Sequence, residues 1–111
     1  SLTANLTEGV GLIELNTRGV SPELQGSFEL GFVLKQAYWH QEIMMTALNL
    51  LLQQLRLDGT VRELWASHYE DNHASQHMLT KIGFNYRYTV EIPFSFNFKL
   101  RKQLYYQLKL R

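Results

Sequence analysis

A chain of 111 residues, 45% hydrophobic and 19% charged, has the balance of one globular domain spanning residues 1–111 and not that of a disordered segment. Its formal net charge of +1 offers no electrostatic ground for a nucleic-acid or anionic-membrane partner. Zero cysteines exclude disulfides, thiolate catalysis and cysteine-based metal sites, and fit a reducing cytoplasm.

The residues from Val10 to Leu15 predict a first strand, closed by Asn16-Thr17-Arg18-Gly19. Ser21-Pro22 and Gln25-Gly26 mark a loop. From Ser27 to Leu34 the chain alternates, with Phe28, Leu30, Phe32 and Leu34 on one face and Glu29 on the other, the period of a half-buried strand. These two strands are expected to form an antiparallel hairpin. Gln41 to Leu57 predicts a helix whose Met44, Ala47, Leu48, Leu51 and Leu55 recur at three-and-four spacing, with Asp58-Gly59 as its stop. Thr46, Asn49, Gln53, Gln54 and Arg56 make this stretch too polar to span a bilayer, and no signal peptide is visible. A strand over 61–67 follows, then a short helix opened by Asn72, a good N-cap. Gly83 stands where a left-handed residue would stop that helix, with Phe84 turning inward. Two final strands, about 84–92 and 98–108, complete the order strand, strand, helix, strand, helix, strand, strand. A helix joining neighbouring strands implies a mixed α/β sheet with a parallel pair in its middle.

The spelling Asn72-His-Ala-Ser75, followed by Lys81-Ile-Gly83-Phe84, resembles the closing motif of the GNAT family of acetyl-coenzyme A-dependent N-acetyltransferases, and most nearly that of its Rim-type branch. The resemblance covers about residues 9 to 108. It implies a GNAT-like fold, a central, mostly antiparallel mixed sheet flanked by helices, lacking the family's first strand and the helix pair after it. It also implies acetyl transfer from acetyl-CoA to a primary amine, a protein N-terminus or a small polyamine-like molecule, by direct attack. Such a reaction needs a cradle for the pyrophosphate, a polarised carbonyl, a base for the amine and an acid for the thiolate.

The family's pyrophosphate loop aligns with Trp39-His40-Gln41-Glu42-Ile43-Met44. Glu42 and Met44 stand at its glycine positions, a carboxylate and a bulky side chain where a diphosphate would sit. Read without the resemblance, the same residues are a plain helix start. Carbonyl polarisation falls to backbone N–H groups of Phe32, Val33 and Leu34, the strand before that loop. Glu29 matches a glutamate able to take the amine's proton, with Glu14 as second choice; the alternative is a solvated strand glutamate. Leu79 occupies the place of the tyrosine acid of many relatives. The Rim-type branch lacks that tyrosine too, and there Ser75 takes the acid's place, with Asn72 holding the pantetheine arm. The alternative makes Asn72 only a cap and Ser75 a polar first-turn residue.

His73 and His77 share a helix face at i, i+4, but no third ligand is evident, so no metal site is expected. The basic residues Lys99, Arg101, Lys102, Lys109 and Arg111 read as charges that blunt a sheet edge, not as a nucleic-acid platform with the nearby aromatics. With its neighbours missing, the first strand would be an exposed edge. That predicts a homodimer through edge strands or the aromatic C-terminal strands. A reading from another class stays open: a catalytically silent GNAT-fold module for binding or assembly, its pyrophosphate loop lost.

Overall fold

The structure, a computed structural model, describes residues 2–7, 11–34, 37–94 and 99–110. The elements are β1 (Leu2–Thr7), β2 (Gly11–Thr17), a 3-10 turn (Pro22–Leu24), β3 (Ser27–Leu34), α1 (Ala37–Asp58), β4 (Glu63–Tyr69), α2 (His73–Ile82), β5 (Asn85–Phe94) and β6 (Lys99–Lys109). They build one six-stranded sheet in the order β1-β2-β3-β4-β6-β5. Only β3 and β4 run parallel; every other neighbouring pair is antiparallel. The expected mixed α/β architecture is therefore the observed one.

Both helices lie on one face of the sheet. Met44, Leu48, Leu52 and Leu55 of α1 and Met78 and Leu79 of α2 share a single core with Ile13, Leu15, Leu30, Leu64, Ala66, Tyr106 and Leu108. Successive right-handed crossovers moving the same way along a sheet require this placement. Each fully buried aliphatic side chain contributes about 1.5–3 kcal/mol, so the helical stripe read from the sequence fixes how α1 sits on the strands. The opposite sheet face carries no helix among the described residues.

Three expectations are corrected. First, β1 pairs with β2 along its length, so β2 is not an edge; polar Thr3, Asn5 and Thr7 gave β1 a weak apolar signal. Second, β6 is interior, lying between β4 and β5, so its lysines and arginines do not blunt an edge. The edges are β1 and β5, and edge pairing with a second copy would use one of these. Third, α1 starts at Ala37, four residues before the expected Gln41. Val10 and Phe98, expected as strand residues, lie outside the described residues.

Turn chemistry sets the two junctions that matter. Gly83 has φ 120. Its N–H reaches Thr80 O at 3.2 Å while Phe84 N–H reaches Leu79 O at 3.0 Å, the paired bonds of a Schellman stop. Gly26, with φ 81, begins the parallel pairing: its carbonyl accepts from Arg62 N–H at 2.6 Å and Glu63 N–H at 3.2 Å. A Cβ there would stand 2.9 Å from the Thr60 carbonyl oxygen and 3.1 Å from Arg62 Cβ. Gly26→Ala is therefore expected to cost about 1–3 kcal/mol from left-handed strain alone, with the clash added. A denaturant midpoint within error of the unmodified protein's would contradict this.

Candidate active site

The parallel strands β3 and β4 pair only from Ser27–Glu63 to Glu29–Trp65. Beyond that, β3 continues to Leu34 and β4 to Tyr69 without pairing each other. Which backbone groups face this gap follows from the register. Arg18 N–H donates to Ser27 O, so Ser27 and every second residue after it turn their backbone groups toward β2. The alternate set, Phe28, Leu30, Phe32 and Leu34, turns toward β4. The Glu29–Trp65 pair still engages Leu30 N–H, and past it that set has no β4 partner, which leaves the N–H groups of Phe32 and Leu34 aimed into the gap. Of the three backbone donors expected here, Phe32 and Leu34 face it and Val33 faces β2, opposite Leu12.

On the helix side, the first turn of α1 presents the N–H groups of residues 37–40 without intrahelical acceptors, the positive end of a 22-residue helix dipole. The segment that aligns with the family's pyrophosphate loop, Trp39 to Met44, is helical throughout, as the plain helix start would have it. The side chains of Val33, Leu34, Trp39, His40 and Gln41 lie outside what the structure describes. Met44 is 0% exposed and belongs to the core, so it does not crowd the helix end as expected. Glu42 and Ile43 point to solvent. At the second helix, the Asn72 side-chain oxygen accepts from Ser75 N–H at 3.1 Å. Asn72 is thus an N-cap in fact, and its amide nitrogen has no partner among the described residues. Ser75 is 8% exposed, with a hydroxyl that likewise shows none. Leu79, in the place of the family tyrosine, is sealed in the core at 0% exposure.

On the helix-free face stand Glu14, Glu29, Gly31, Trp65, Ser67, Tyr105 and, across a bulge between Tyr86 and Tyr88, Tyr88. The bulge sends Tyr86 to the helix side with Tyr106 and Tyr88 to the open face, stacked on Tyr105 at 5.0 Å. Glu29 is exposed. Glu14 accepts from Asn16 Nδ2 at 2.6 Å. The Tyr105 hydroxyl is held above its usual range, first by burial and then by the charge of Glu29, so it stays a neutral phenol. His68 and Tyr106, to which the sequence assigned no role at the site, form a buried pair on the helix side, with His68 Nε2 2.9 Å from the phenol oxygen.

Glu63 locks the closed end of the gap. Its carboxylate accepts from Ser27 Oγ at 2.7 Å, Trp65 Nε1 at 2.8 Å and Gln107 Nε2 at 2.7 Å, with Arg18 Nη1 at 3.4 Å. Burial pushes its carboxyl up, but hydrogen bonds from Trp65, Ser27 and Gln107 and the nearby Arg62 charge outweigh that and hold it below 4.5. A depressed folded-state pKa stabilises at pH above the unfolded value, and that stability disappears as pH falls through the folded value. Glu63→Gln should therefore flatten the fall in stability on acidification below about pH 4.5. Urea midpoints taken from neutral to acidic pH check this, and parallel slopes for the two proteins would refute it.

This arrangement, a β3–β4 gap with unpaired backbone between two helix N-termini and a carboxylate-bearing face, can be compared with known proteins. The acetyltransferase (GNAT) domain family matches residues 2–85, more than half of the chain. The protein belongs to the GNAT family. Among solved structures, the Salmonella typhimurium yncA protein with its cofactor acetyl-CoA superposes with a TM-score of 0.77 at 16% identity, covering 92% of this chain and 58% of that one. A Streptococcus pneumoniae GNAT-family acetyltransferase gives 0.78 at 17%, covering 90% and 60%. The ribosomal-protein-S5-alanine acetyltransferase of Vibrio fischeri gives 0.74 at 16%, covering 90% and 54%. At these identities the likeness is one of fold, and this GNAT chain spans under two thirds of those structures. No protein of curated function matches the sequence.

The described residues contain no helix long and apolar enough to cross a membrane. They also hold no group of three metal-ligating side chains; His73 and His77 are both exposed.

Proposed function

We propose that this GNAT domain transfers an acetyl group from acetyl-CoA to a primary amine by direct attack, in the manner of the Rim-type branch. The observation that carries this reading is the unpaired edge of β3. Two backbone N–H groups, of Phe32 and Leu34, face a gap that a sheet would otherwise close, and an extended pantetheine arm and a thioester oxygen are the groups such donors suit. The residues present fit the cosubstrate at three further points. The first-turn N–H groups of α1 suit a diphosphate. Asn72 Nδ2 and Ser75 Oγ are free to bond the arm and its sulfur. Acetyl-CoA supplies the acetyl group as an activated thioester.

The remaining work falls to this chain. Glu29, on the other side of the gap, accepts one proton from the ammonium, so that the nitrogen lone pair can attack. Phe32 and Leu34 N–H groups stabilise the negative charge that develops on the carbonyl oxygen. As the C–N bond forms and the C–S bond breaks, the nitrogen loses its second proton and the sulfur gains one, with Ser75 Oγ–H hydrogen-bonded to that sulfur. Helix side and open face thus divide the labour, cosubstrate on one and acceptor on the other.

Glu42 favours the second reading, a silent binding module, because it keeps a carboxylate one turn into the helix that should receive a diphosphate. Calorimetric titration of acetyl-CoA decides between the two. Micromolar binding that weakens by up to roughly tenfold in Ser75→Ala, the loss of about one hydrogen bond to the arm or its sulfur, is expected. No heat from either the unmodified protein or Glu42→Gly would leave the silent module as the better account.

A further inference from the structure

β5 is an outer strand of the sheet, and the ladder beside it fixes which of its backbone groups are left over. Glu70 N–H donates to Lys102 O and Leu110 N–H to Arg62 O. The even-numbered residues of β6 therefore turn their backbone toward β4 and the odd-numbered ones toward β5. Tyr88, Val90 and Ile92, opposite Tyr105, Gln103 and Arg101, are thus bonded to β6. Thr89, Glu91 and Pro93 point their backbone groups away from the sheet, where no described strand meets them. This edge is blunted at its ends and not along its middle. A bulge lies between Tyr86 and Tyr88, and Pro93, which has no N–H to offer, comes near the far end. Between them stand two free N–H groups, of Thr89 and Glu91, and an apolar strip, with Tyr88 44% and Val90 38% exposed. The β4 ladder stops at Tyr69, opposite Gln103. From Ile92 and Arg101 outward the β5–β6 hairpin is a two-stranded ribbon, marginal when alone in water.

We propose that a second copy of this chain pairs antiparallel with β5 about a two-fold axis through Val90, joining the two six-stranded sheets edge to edge. In this register Thr89 pairs with the partner's Glu91 and Glu91 with the partner's Thr89. Both free N–H groups of each chain then find a carbonyl across the axis. On the helix-free face Val90 lies opposite the partner's Val90, and Tyr88 opposite the partner's Ile92. An aromatic against a β-branched side chain is a stabilising cross-strand pair. On the helix side the Tyr86 and Thr89 hydroxyls are bonded to each other at 2.6 Å. One proton serves that bond, which leaves the other hydroxyl's proton for the carboxylate of the partner's Glu91. Neighbouring registers are worse. An axis through Glu91 sets it against the partner's Glu91, like charge on like. An axis through Thr89 carries Glu91 onto the partner's Arg87, inside the bulge, where the ladder is disrupted. The chosen register also lays the partner's Tyr88 beside Ile92, giving the ribbon a third strand. β6 and β4 separate the axis from the β3–β4 gap, so the gap stays open in both copies, and the pairing does not depend on acetyl transfer.

The chain contains no cysteine, so single introduced cysteines report the register directly. Residues opposite each other in a non-hydrogen-bonded antiparallel pair have Cα atoms about 4.5 Å apart, within the reach of a disulfide. Val90→Cys is therefore expected to oxidise to a covalent dimer. Tyr88→Cys alone should not, because it faces the partner's Ile92 and not its own copy, but mixed with Ile92→Cys it should give the mixed dimer. Light scattering of the unmodified protein should move from 13.0 kDa toward twice that mass between micromolar and millimolar concentration. Thr89→Pro removes one outward N–H per chain and none that β6 uses, so the fold should keep its melting temperature at low concentration. Association should weaken at least about tenfold, the loss of two backbone hydrogen bonds per dimer. A monomeric mass at millimolar concentration, Val90→Cys cross-linking no faster than Tyr88→Cys, or association that Thr89→Pro leaves unweakened would each overturn the proposal. Should Thr89→Pro fail to fold, the cysteine variants decide alone, since Tyr88, Val90 and Ile92 are not part of the core.

Discussion

Met44→Gly, which would restore the glycine that GNAT relatives carry in the pyrophosphate loop, is expected to unfold much of the protein and not to repair cosubstrate binding. Met44 is 0% exposed and packs in the core with Leu48 and Leu52. Emptying a buried methionine site costs about 2–5 kcal/mol, and glycine inside a helix adds about 1 kcal/mol over alanine. The sum approaches the whole stability of a small domain, about 5–15 kcal/mol. The urea midpoint should fall accordingly with the slope unchanged. Glu42→Gly differs in kind. Its side chain is in solvent, so only the helix cost of about 1 kcal/mol applies, and it removes a carboxylate from the N-terminal part of α1. A stable Met44→Gly protein with raised acetyl-CoA affinity would mean that α1 does not pack as described.

Met44 also shows how much the sequence could say. It sat at once in the buried stripe of the helix and in the aligned loop, and only the sheet under α1 decides between them. The helix periodicity was legible because apolar contacts repeat every 3.6 residues whatever lies beneath. The Asn72 cap and Gly83 stop were legible because each is solved by one residue type at a fixed offset. Strand order was not, since nothing local in Lys99–Lys109 states that it inserts between β4 and β5. Nor was β1, whose apolar signal is thin. The candidate site divides the same way. Glu29 and Ser75 follow from residue type in a motif, whereas the selection of Phe32 and Leu34 over Val33 depends on register with β2. Glu63 carries no local signal; four donors converge on it only once β3, β4, β6 and the segment after β2 are side by side.

Glu29→Gln is expected to lower kcat with an amine acceptor by about 10²–10⁴-fold at neutral pH, the usual contribution of a positioned base, while acetyl-CoA affinity and melting temperature stay put. Glu29 is exposed at the rim of the open face, so its removal leaves the core and the backbone donors of β3 intact. The pH profile separates base catalysis from simple charge attraction. As pH rises through the acceptor's own pKa, about 7.7–8.0 for a peptide N-terminus or about 10.4 for an alkylamine, the amine arrives already deprotonated and the base becomes unnecessary. The deficit of the glutamine variant should therefore shrink over that range, and the midpoint of recovery reports which class of amine is used. A deficit that is the same at every pH would make Glu29 an anchor for the ammonium and not its base. Full activity at neutral pH would move the base to Glu14, the other carboxylate beside Gly31, whose single described bond is the 2.6 Å contact from Asn16.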